Sequence, residues 1–210
     1  MLLKIAIAAT VLVALPASAS TVDFDSGSVH LLPGQSAVVD DGFTITLNGP
    51  AHFLTTTNQE NIAGNGTAVL FLADFGTWTL TETAPSVAGF DFLSLDVGGS
   101  FKNQIISRSA DSVTFVGTRV RGGTVSFNFK LNPSVMDLTN VLLPGRFVGL
   151  SSVEFVPTIN DNQGVNNFGF VVDNLVVKAA AVPEPASWAL MVSGFGLVGA
   201  MLRRQVALAA

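Results

Sequence analysis

Several residue types that commonly carry chemistry in proteins are absent from this sequence or rare in it. The 210 residues include no cysteine, no tyrosine and two histidines. Without cysteine, the chain can form no disulfide, thiol nucleophile or cysteine-ligated zinc site. Charged residues make up 12%, about half the ~25% typical of soluble domains, whereas 49% of the residues are apolar. This composition excludes disorder over most of the length, and the length itself predicts one folded domain.

The first 19 residues combine a single early lysine with an apolar run from Ile5 to Leu15. The run is too short to cross ~30 Å of hydrocarbon, which argues against the alternative of a transmembrane anchor. Small residues follow at Ala17 and Ala19, in the A-x-A spacing of a signal-peptidase site. The segment is therefore predicted to be a secretory signal peptide, cleaved before Ser20, that uses the Sec translocon and signal peptidase.

A second apolar run occupies residues 186–202, near the other end of the chain. At ~1.5 Å per residue it would form a helix of about 25 Å, the short end of what spans a membrane. Arg203 and Arg204 follow at once, as the cytoplasmic flank of such a helix does, and Trp188 has the position of an interfacial aromatic residue. The alternative is a buried core helix, which an abrupt arginine pair and an apolar character on all sides disfavour. The pattern favours a membrane helix.

The tail as a whole resembles the PEP-CTERM sorting signal, in its variant with tryptophan, methionine and a Gly-Phe-Gly triplet. The residues that carry the resemblance are Pro183, Glu184, Pro185, Trp188, Met191, Gly194, Phe195, Gly196, Arg203 and Arg204. The resemblance implies recognition by an exosortase, a membrane-embedded cysteine protease of Gram-negative bacteria, and cleavage near the Pro-Glu-Pro triplet. It also implies a precursor anchored in the inner membrane and later delivery to the cell surface or the exopolysaccharide matrix.

These signals divide the chain into a signal peptide (1–19), a central domain (20–181), a sorting signal (182–204) and a short extension (205–210). The central domain carries 14 acidic and seven basic side chains, a net charge of about −7. Such a charge argues against nucleic acid as a partner, because no basic patch is available to displace phosphate counterions. It argues in the same way against electrostatic docking on anionic lipid.

The central domain has the alternating pattern of half-buried strands, in which every second side chain is apolar. The pattern is clearest in residues 43–47, 90–97 and 125–131, and glycine- or proline-containing turns separate these runs from the others. About nine short strands predict an all-β, antiparallel β-sandwich of jelly-roll type. A short helix is predicted over residues 132–142, with Asn132 as its cap and Pro133 at its first position.

The aromatic residues of the domain are almost all phenylalanine, and most occupy alternating positions that predict a core. Its single tryptophan, Trp78, has two interpretations. It is either a core side chain or an exposed platform on which a sugar ring stacks, as in carbohydrate-binding modules. The second interpretation gives an alternative function, a module that contacts exopolysaccharide.

Catalytic patterns are weak in this sequence. His30 and His52 lie in no nucleophile motif such as G-x-S-x-G, and no carboxylate cluster close in sequence accompanies them as zinc ligands would require. Nothing selects one pair of carboxylates for a glycosidase. The leading hypothesis is therefore an exported, non-catalytic surface or matrix protein, and a secreted hydrolase is the least favoured of three.

Calcium is the one metal that the sequence suggests. Asp23 and Asp25 flank Phe24 on the first predicted strand, so both carboxylates are expected to share a face. Asp173 lies on the last predicted strand, and first and last strands often pair in sandwiches. This arrangement resembles the jelly-roll carbohydrate-binding modules that hold a structural calcium, and it makes Asp23, Asp25 and Asp173 candidate ligands. The alternative is that these carboxylates face solvent or cap turns.

Overall fold

The computed structural model describes residues 19–25, 37–48, 53–57, 66–73, 76–99, 109–132, 137–158, 169–179 and 192–196. The chain divides into two compact units. One unit, Ala17–Ala180, contains all the strands found among the described residues. The other comprises Met1–Pro16 and Ala181–Ala210, and its described residues form a helix over 192–196. Within the described ranges, no helix is long and apolar enough to cross a membrane.

Twelve strands follow one another along the first unit. They are β1 (Ala19–Val22), β2 (Ala37–Asp40), β3 (Phe43–Asn48), β4 (Phe53–Thr57), β5 (Ala68–Ala73), β6 (Thr77–Glu82), β7 (Phe90–Gly99), β8 (Ser112–Arg119), β9 (Thr124–Lys130), β10 (Thr139–Leu142), β11 (Leu150–Thr158) and β12 (Gly169–Ala179). All strand pairs are antiparallel, so the all-β, antiparallel class predicted from the sequence is confirmed.

The strands form two layers, which we call sheet A and sheet B. Sheet A has the order β9-β8-β11-β6-β3-β2. In sheet B, β12 is central, with β7 and then β10 on one side and β5, β4 and β1 on the other. The pair Leu150–Phe90, between β11 and β7, joins the two layers into one continuous, barrel-like sheet.

Phenylalanine rings fill the space between the layers. Phe92 of sheet B lies 6.5 Å from the ring of Phe115 and 6.1 Å from that of Phe155, both in sheet A. Phe43 of sheet A makes an edge contact with Phe90 of sheet B at 5.3 Å. Each fully buried phenylalanine contributes about 1.5–3 kcal/mol relative to an exposed one. The predicted phenylalanine core is therefore what holds the layers together.

The prediction of a helix over residues 132–142 is wrong for the C-terminal residues of that segment, which the structure describes. Residues Thr139–Leu142 form β10, which pairs with β7 from Thr139 opposite Val97 to Leu142 opposite Ser94. The edge of β7 that does not pair with β12 is free to pair with this segment. In that position the side chain of Val141 is buried in the core. Tertiary pairing thus overrides a helix start signal that is local and weak.

Three turns approach one another closely at one end of the sandwich. Gly89 has a φ of +72°, and a Cβ atom there would clash with the carbonyl oxygen of Leu150 and with the side chain of Val120. Only glycine fits this position, because it has no Cβ and adopts positive φ without cost. The turns before β7, after β8 and before β11 therefore pack tightly beside the end of β12.

Candidate functional site

The first and last strands pair, as the calcium hypothesis requires, with Val22 of β1 opposite Leu175 of β12. The two aspartates nevertheless lie beyond this strand, where the N–H of Asp25 donates to Asp23 Oδ1 at 3.1 Å. The strand ends at Val22, and Phe24 has a φ of +60° with its side chain buried. This left-handed residue breaks the alternation that would place Asp23 and Asp25 on one face. The expectation of a shared face is therefore wrong.

Asp25 and Asp173 both contact the start of β5. The Oδ1 atom of Asp25 accepts a hydrogen bond of 2.9 Å from the backbone N–H of Ala68. The Oδ2 atom of Asp173 accepts one of 3.1 Å from the hydroxyl of the preceding residue, Thr67. Asp173 is fully buried. Carboxylate and hydroxyl oxygens are the donor atoms that calcium prefers. The calcium hypothesis therefore retains Asp25 and Asp173 as candidate ligands, each with an oxygen already engaged in a hydrogen bond.

An asparagine links this group to the neighbouring strand. Asn174 lies at a bulge in β12, with a φ of +47° that asparagine tolerates well. Its side-chain amide donates to Asp96 Oδ2 at 2.8 Å and to Asp173 Oδ2 at 3.4 Å. Asn140 donates to the other oxygen of Asp96 at 2.7 Å. Asp96 and Asp173 are directly opposite in the ladder, so the amide reduces a repulsion between like charges that would otherwise destabilise the pair.

Asp23 belongs to a different acidic group, which we call the acidic corner: Asp23, Asp40 and Asp41. Ligand oxygens of the three lie within 4.8 Å of one another. Asp40 accepts a 2.9 Å hydrogen bond from the N–H of Phe24, which holds β1 and β2 together. Burial raises the pKa of Asp41 above its ordinary value of 3.8, and the charges of Asp40 and Asp23 add to this. Sequence reasoning missed this group, because the Asp-Asp-Gly run at residues 40–42 was interpreted only as a turn.

Trp78 is a core residue. Its side chain is 1% exposed, and it lies in β6 between Leu47 of β3 and Phe155 of β11. A ring buried in this way presents no face on which a sugar could stack. The assignment of Trp78 as a glycan contact is therefore wrong, and the alternative that it packs in the core is right.

The predicted signal cleavage lies beside the C-terminal end of β12, the strand that precedes the sorting signal in sequence. Ala19 is opposite Lys178, and Ser20 is opposite Val177, so the predicted signal cleavage falls beside the last residues of β12. Strand β12 ends at Ala179, four residues before Pro183. Of the predicted sorting residues, Gly194, Phe195 and Gly196 are exposed in the helix of 192–196. Pro183, Glu184, Pro185, Trp188, Met191, Arg203 and Arg204 lie outside the described residues, as does Ala17 of the signal site.

A comparison with protein families identifies the tail. Residues 181–205 match the PEP-CTERM protein-sorting motif. The chain carries a PEP-CTERM sorting signal. The match agrees with the predicted segment 182–204 to within one residue at each end and covers the C-terminal part of the chain alone. It therefore concerns the sorting of the PEP-CTERM protein and says nothing of its β domain.

Solved structures similar to this PEP-CTERM protein are distant. A CBM29-2 mutant complexed with mannohexaose has a TM-score of 0.45 at 8% identity, over 80% of this chain and 94% of that one. An exo-beta-agarase has a TM-score of 0.45 at 11% identity, and the match covers 80% of this chain and 25% of the agarase chain. The family 11 carbohydrate-binding module of a Clostridium thermocellum cellulase has a TM-score of 0.38 at 14% identity. That match covers 80% of this chain and 98% of the module. Scores this low identify neither fold family nor ligand. No curated protein matches the chain in sequence.

If Asp25 and Asp173 hold calcium, chelation will lower the melting temperature of the protein. A ligand at 100 times its Kd stabilises the folded state by about 2.7 kcal/mol. We expect EDTA to lower Tm in the wild type and to leave Asp25→Asn unchanged, because the amide retains the hydrogen bond from Ala68 but loses the charge. The exposed Asp137→Asn serves as the matched control and should respond like the wild type. Equal melting of the wild type with calcium and with EDTA would show that no such site exists.

The raised pKa of Asp41 makes a separate prediction about pH. Because the folded state binds this proton more tightly than the unfolded state, stability falls as pH rises above 3.8 through the higher folded value. At neutral pH, Asp41→Asn should therefore melt at a higher temperature than the wild type in EDTA, and asparagine tolerates the φ of +45° at this position. The difference should shrink below pH 3.8. A gap that is constant with pH, or that Asp137→Asn reproduces, would contradict the electrostatic explanation.

Proposed function

We propose that the protein is an exosortase substrate, exported through the Sec translocon and held in the inner membrane by its tail. Cleavage near Pro183-Glu184-Pro185 then delivers the β domain to the cell surface or the extracellular matrix. The observation that carries this proposal is the PEP-CTERM motif at residues 181–205, directly behind the last strand of the domain.

The position of the motif supports cleavage of a folded protein. Strand β12 ends at Ala179, so a cut near Pro183 leaves all twelve strands uncut. At ~3.3–3.6 Å per residue, the four residues from Ala179 to Pro183 extend to at most about 14 Å. A membrane protease would thus work close to the domain without unfolding it.

We further propose that the β domain is non-catalytic and of jelly-roll type. Its two histidines lack a nucleophile motif, and its buried side chains are overwhelmingly apolar, with Ser94, Ser109 and Asp173 as the buried polar ones in the described part of the chain. Asp173 is engaged by the backbone and side chain of Asn174 and by Thr67, an arrangement suited to structure.

A second candidate function is carbohydrate binding, which the outer face of sheet A favours. Neighbouring strands place Thr46, Thr79 and Glu154 in one row across β3, β6 and β11. Other hydroxyl and amide side chains lie on the same outer face of the sheet, and together with the row they form what we call the hydroxyl face. They are Thr44, Thr77, Thr81, Ser112, Thr114, Thr118, Ser126 and Asn128. Hydroxyl, amide and carboxylate groups are the partners that sugar hydroxyls use.

The mass of the exported protein tests the sorting proposal. In a host with an active exosortase, we expect the mature chain to begin at Ser20 and to end near Pro183–Pro185. Replacement of Pro183, Glu184 and Pro185 by alanine should leave the tail attached. The control Val206→Ala, beyond the matched motif, should be processed normally. A wild-type chain that keeps residues 188–204 would refute the proposal.

Binding to immobilised polysaccharides tests the second candidate. If the hydroxyl face is the site, Glu154→Gln and Asn128→Ala should each weaken binding by about tenfold, the effect of losing ~1.4 kcal/mol. Asp137→Asn, which lies outside this face, should bind like the wild type. Trp78→Ala is unsuitable, because loss of a buried tryptophan costs about 3–5 kcal/mol of stability. An array on which the wild type binds no glycan would exclude this function.

A further inference from the structure

Neighbouring strands bring the tail and a group of arginines to one end of the sandwich. Ala179 of β12 is opposite Phe90, Phe90 is opposite Leu150, and Leu150 is opposite Arg119 of β8. With strands ~4.8 Å apart, three strand spacings of about 14 Å separate the start of the tail from Arg119. We call this the tail end of the domain.

Basic residues are concentrated at the tail end. The Arg119 guanidinium donates to the carbonyl oxygen of Arg146 at 3.0 Å, and that of Arg146 donates to the carbonyl oxygen of Ser126 at 2.6 Å. These partners are uncharged and leave both positive charges in place. Arg121 is exposed in the turn between β8 and β9, and Lys178 is the penultimate residue of β12. In the described part of the chain the other basic residue is Lys130, which lies at the far end of β9 opposite Ser112.

Exposed valines lie on the turns around these arginines. Val87 is 83% exposed, Val120 is 38% exposed and Val148 is 43% exposed. The backbone N–H of Val120 donates to Gly149 at 3.0 Å, and Val120 also lies against Gly89, so the three turns are neighbours. Apolar side chains between basic ones are the combination with which peripheral segments insert at the headgroup level of anionic membranes.

Two carboxylates, Glu82 and Asp91, lie among these basic groups, and Asp91 is directly opposite Lys178. They lower the charge of the tail end from about +4 to about +2, so it remains positive. Glu82 and Asp91 accept hydrogen bonds from the backbone of Ser86 and Gly149, within the turns. The acidic corner lies at the opposite edge of sheet A, since β3, β6 and β11 separate β2 from β8. Four strand spacings amount to roughly 19 Å, about two Debye lengths at physiological salt. The net charge of about −7, which argued against anionic lipid, therefore does not describe the tail end.

The tail would hold this end close to a membrane. At most about 14 Å of extended chain joins Ala179 to Pro183, and the predicted signal cleavage at Ser20 lies beside Val177. A surface contact made within such a short link is intramolecular, so even a weak attraction is strongly favoured.

We propose that the tail end, through Arg119, Arg121, Arg146 and the three valines, docks the precursor on anionic lipid headgroups before cleavage. The inference rests on the proposed membrane attachment of the tail. Each arginine near an anionic surface is expected to strengthen binding about fivefold. The acidic corner lies at the same end of the strands as Arg119 but four strands away across sheet A. Docking would therefore tilt the domain towards the edge that carries Arg119, with the far end, where Lys130 and Thr158 lie, away from the bilayer.

Site-specific quenching in lipid nanodiscs tests this orientation. The chain has no cysteine, so Val120→Cys and Thr158→Cys each provide a single labelling site, one at the tail end and one at the far end. The labelled full chain is placed in discs of phosphatidylcholine with or without phosphatidylglycerol, both with nitroxide-labelled lipid. In the anionic discs we expect the position 120 probe to be quenched several-fold more than the position 158 probe. High salt should remove this difference.

Variants that remove one positive charge identify which basic residues contribute to docking on the lipid. Arg121→Gln, in an exposed turn, should lower the ratio of docked to undocked protein about fivefold, the equivalent of ~1 kcal/mol. Lys130→Gln, with the same change of charge at the far end, should leave it unchanged. Equal quenching at both positions, or equal docking on phosphatidylcholine alone, would overturn the proposal.

Two further outcomes separate this proposal from its alternatives. A full chain that does not migrate with the discs refutes membrane attachment by the tail, and the docking proposal falls with it. A chain that migrates with the discs but shows no preferential quenching at position 120 refutes docking alone. If such a chain binds polygalacturonate, and Arg121→Gln weakens that binding, the arginines serve an acidic polysaccharide and the lipid proposal is wrong.

Discussion

The antiparallel pairing of β12 with β7 is the interaction on which the rest of this protein depends. It extends from Phe170 opposite Gly99 to Ala179 opposite Phe90. The open edge of β7 then accepts β10 and the start of β11, which brings in sheet A, while the other edge of β12 accepts β5 and β1. The same strand carries Asp173 and Asn174 at its bulge and leads into the sorting signal. Core and acidic network therefore share one strand, and the sorting signal begins two residues after it in sequence.

The C-terminal sorting signal and the strand class could be predicted because both are local patterns. The alternation of apolar and polar residues along 43–47 or 90–97 indicates a strand with one buried face. The sorting signal is recognised because its Pro-Glu-Pro triplet, apolar run and arginine pair follow one another in sequence. Contacts between distant segments were not predictable in this way. Asp40 joins Asp23 only because Phe24 adopts positive φ and its N–H meets the Asp40 carboxylate. Similarly, β10 forms only because β7 offers it an edge. Trp78 had two interpretations until its neighbours on β3 and β11 were known.

The distribution of charge over the surface also depends on contacts between distant segments, and the net charge does not reveal it. The sum over the central domain is strongly negative, yet Arg119, Arg121 and Arg146 meet at one end because a hairpin tip and a turn 25 residues away in sequence are adjacent in space. The acidic corner collects Asp23, Asp40 and Asp41 at the opposite edge of sheet A. The domain is thus polarised across its width, and its electrostatic behaviour near a surface depends on orientation more than on total charge.

The site at which the tail leaves the domain also determines how the domain bears mechanical load. A pull on a membrane-held precursor enters through Ala179 and runs along the axis of β12. The hydrogen bonds of β12 to its neighbours are perpendicular to that axis, so force loads them together, in shear, and they must break as a set. A tail leaving from an edge strand such as β2 or β9 would instead let the sheet be peeled one bond at a time. A tail that follows this central strand therefore meets the combined resistance of its hydrogen bonds when the pull runs along the strand axis.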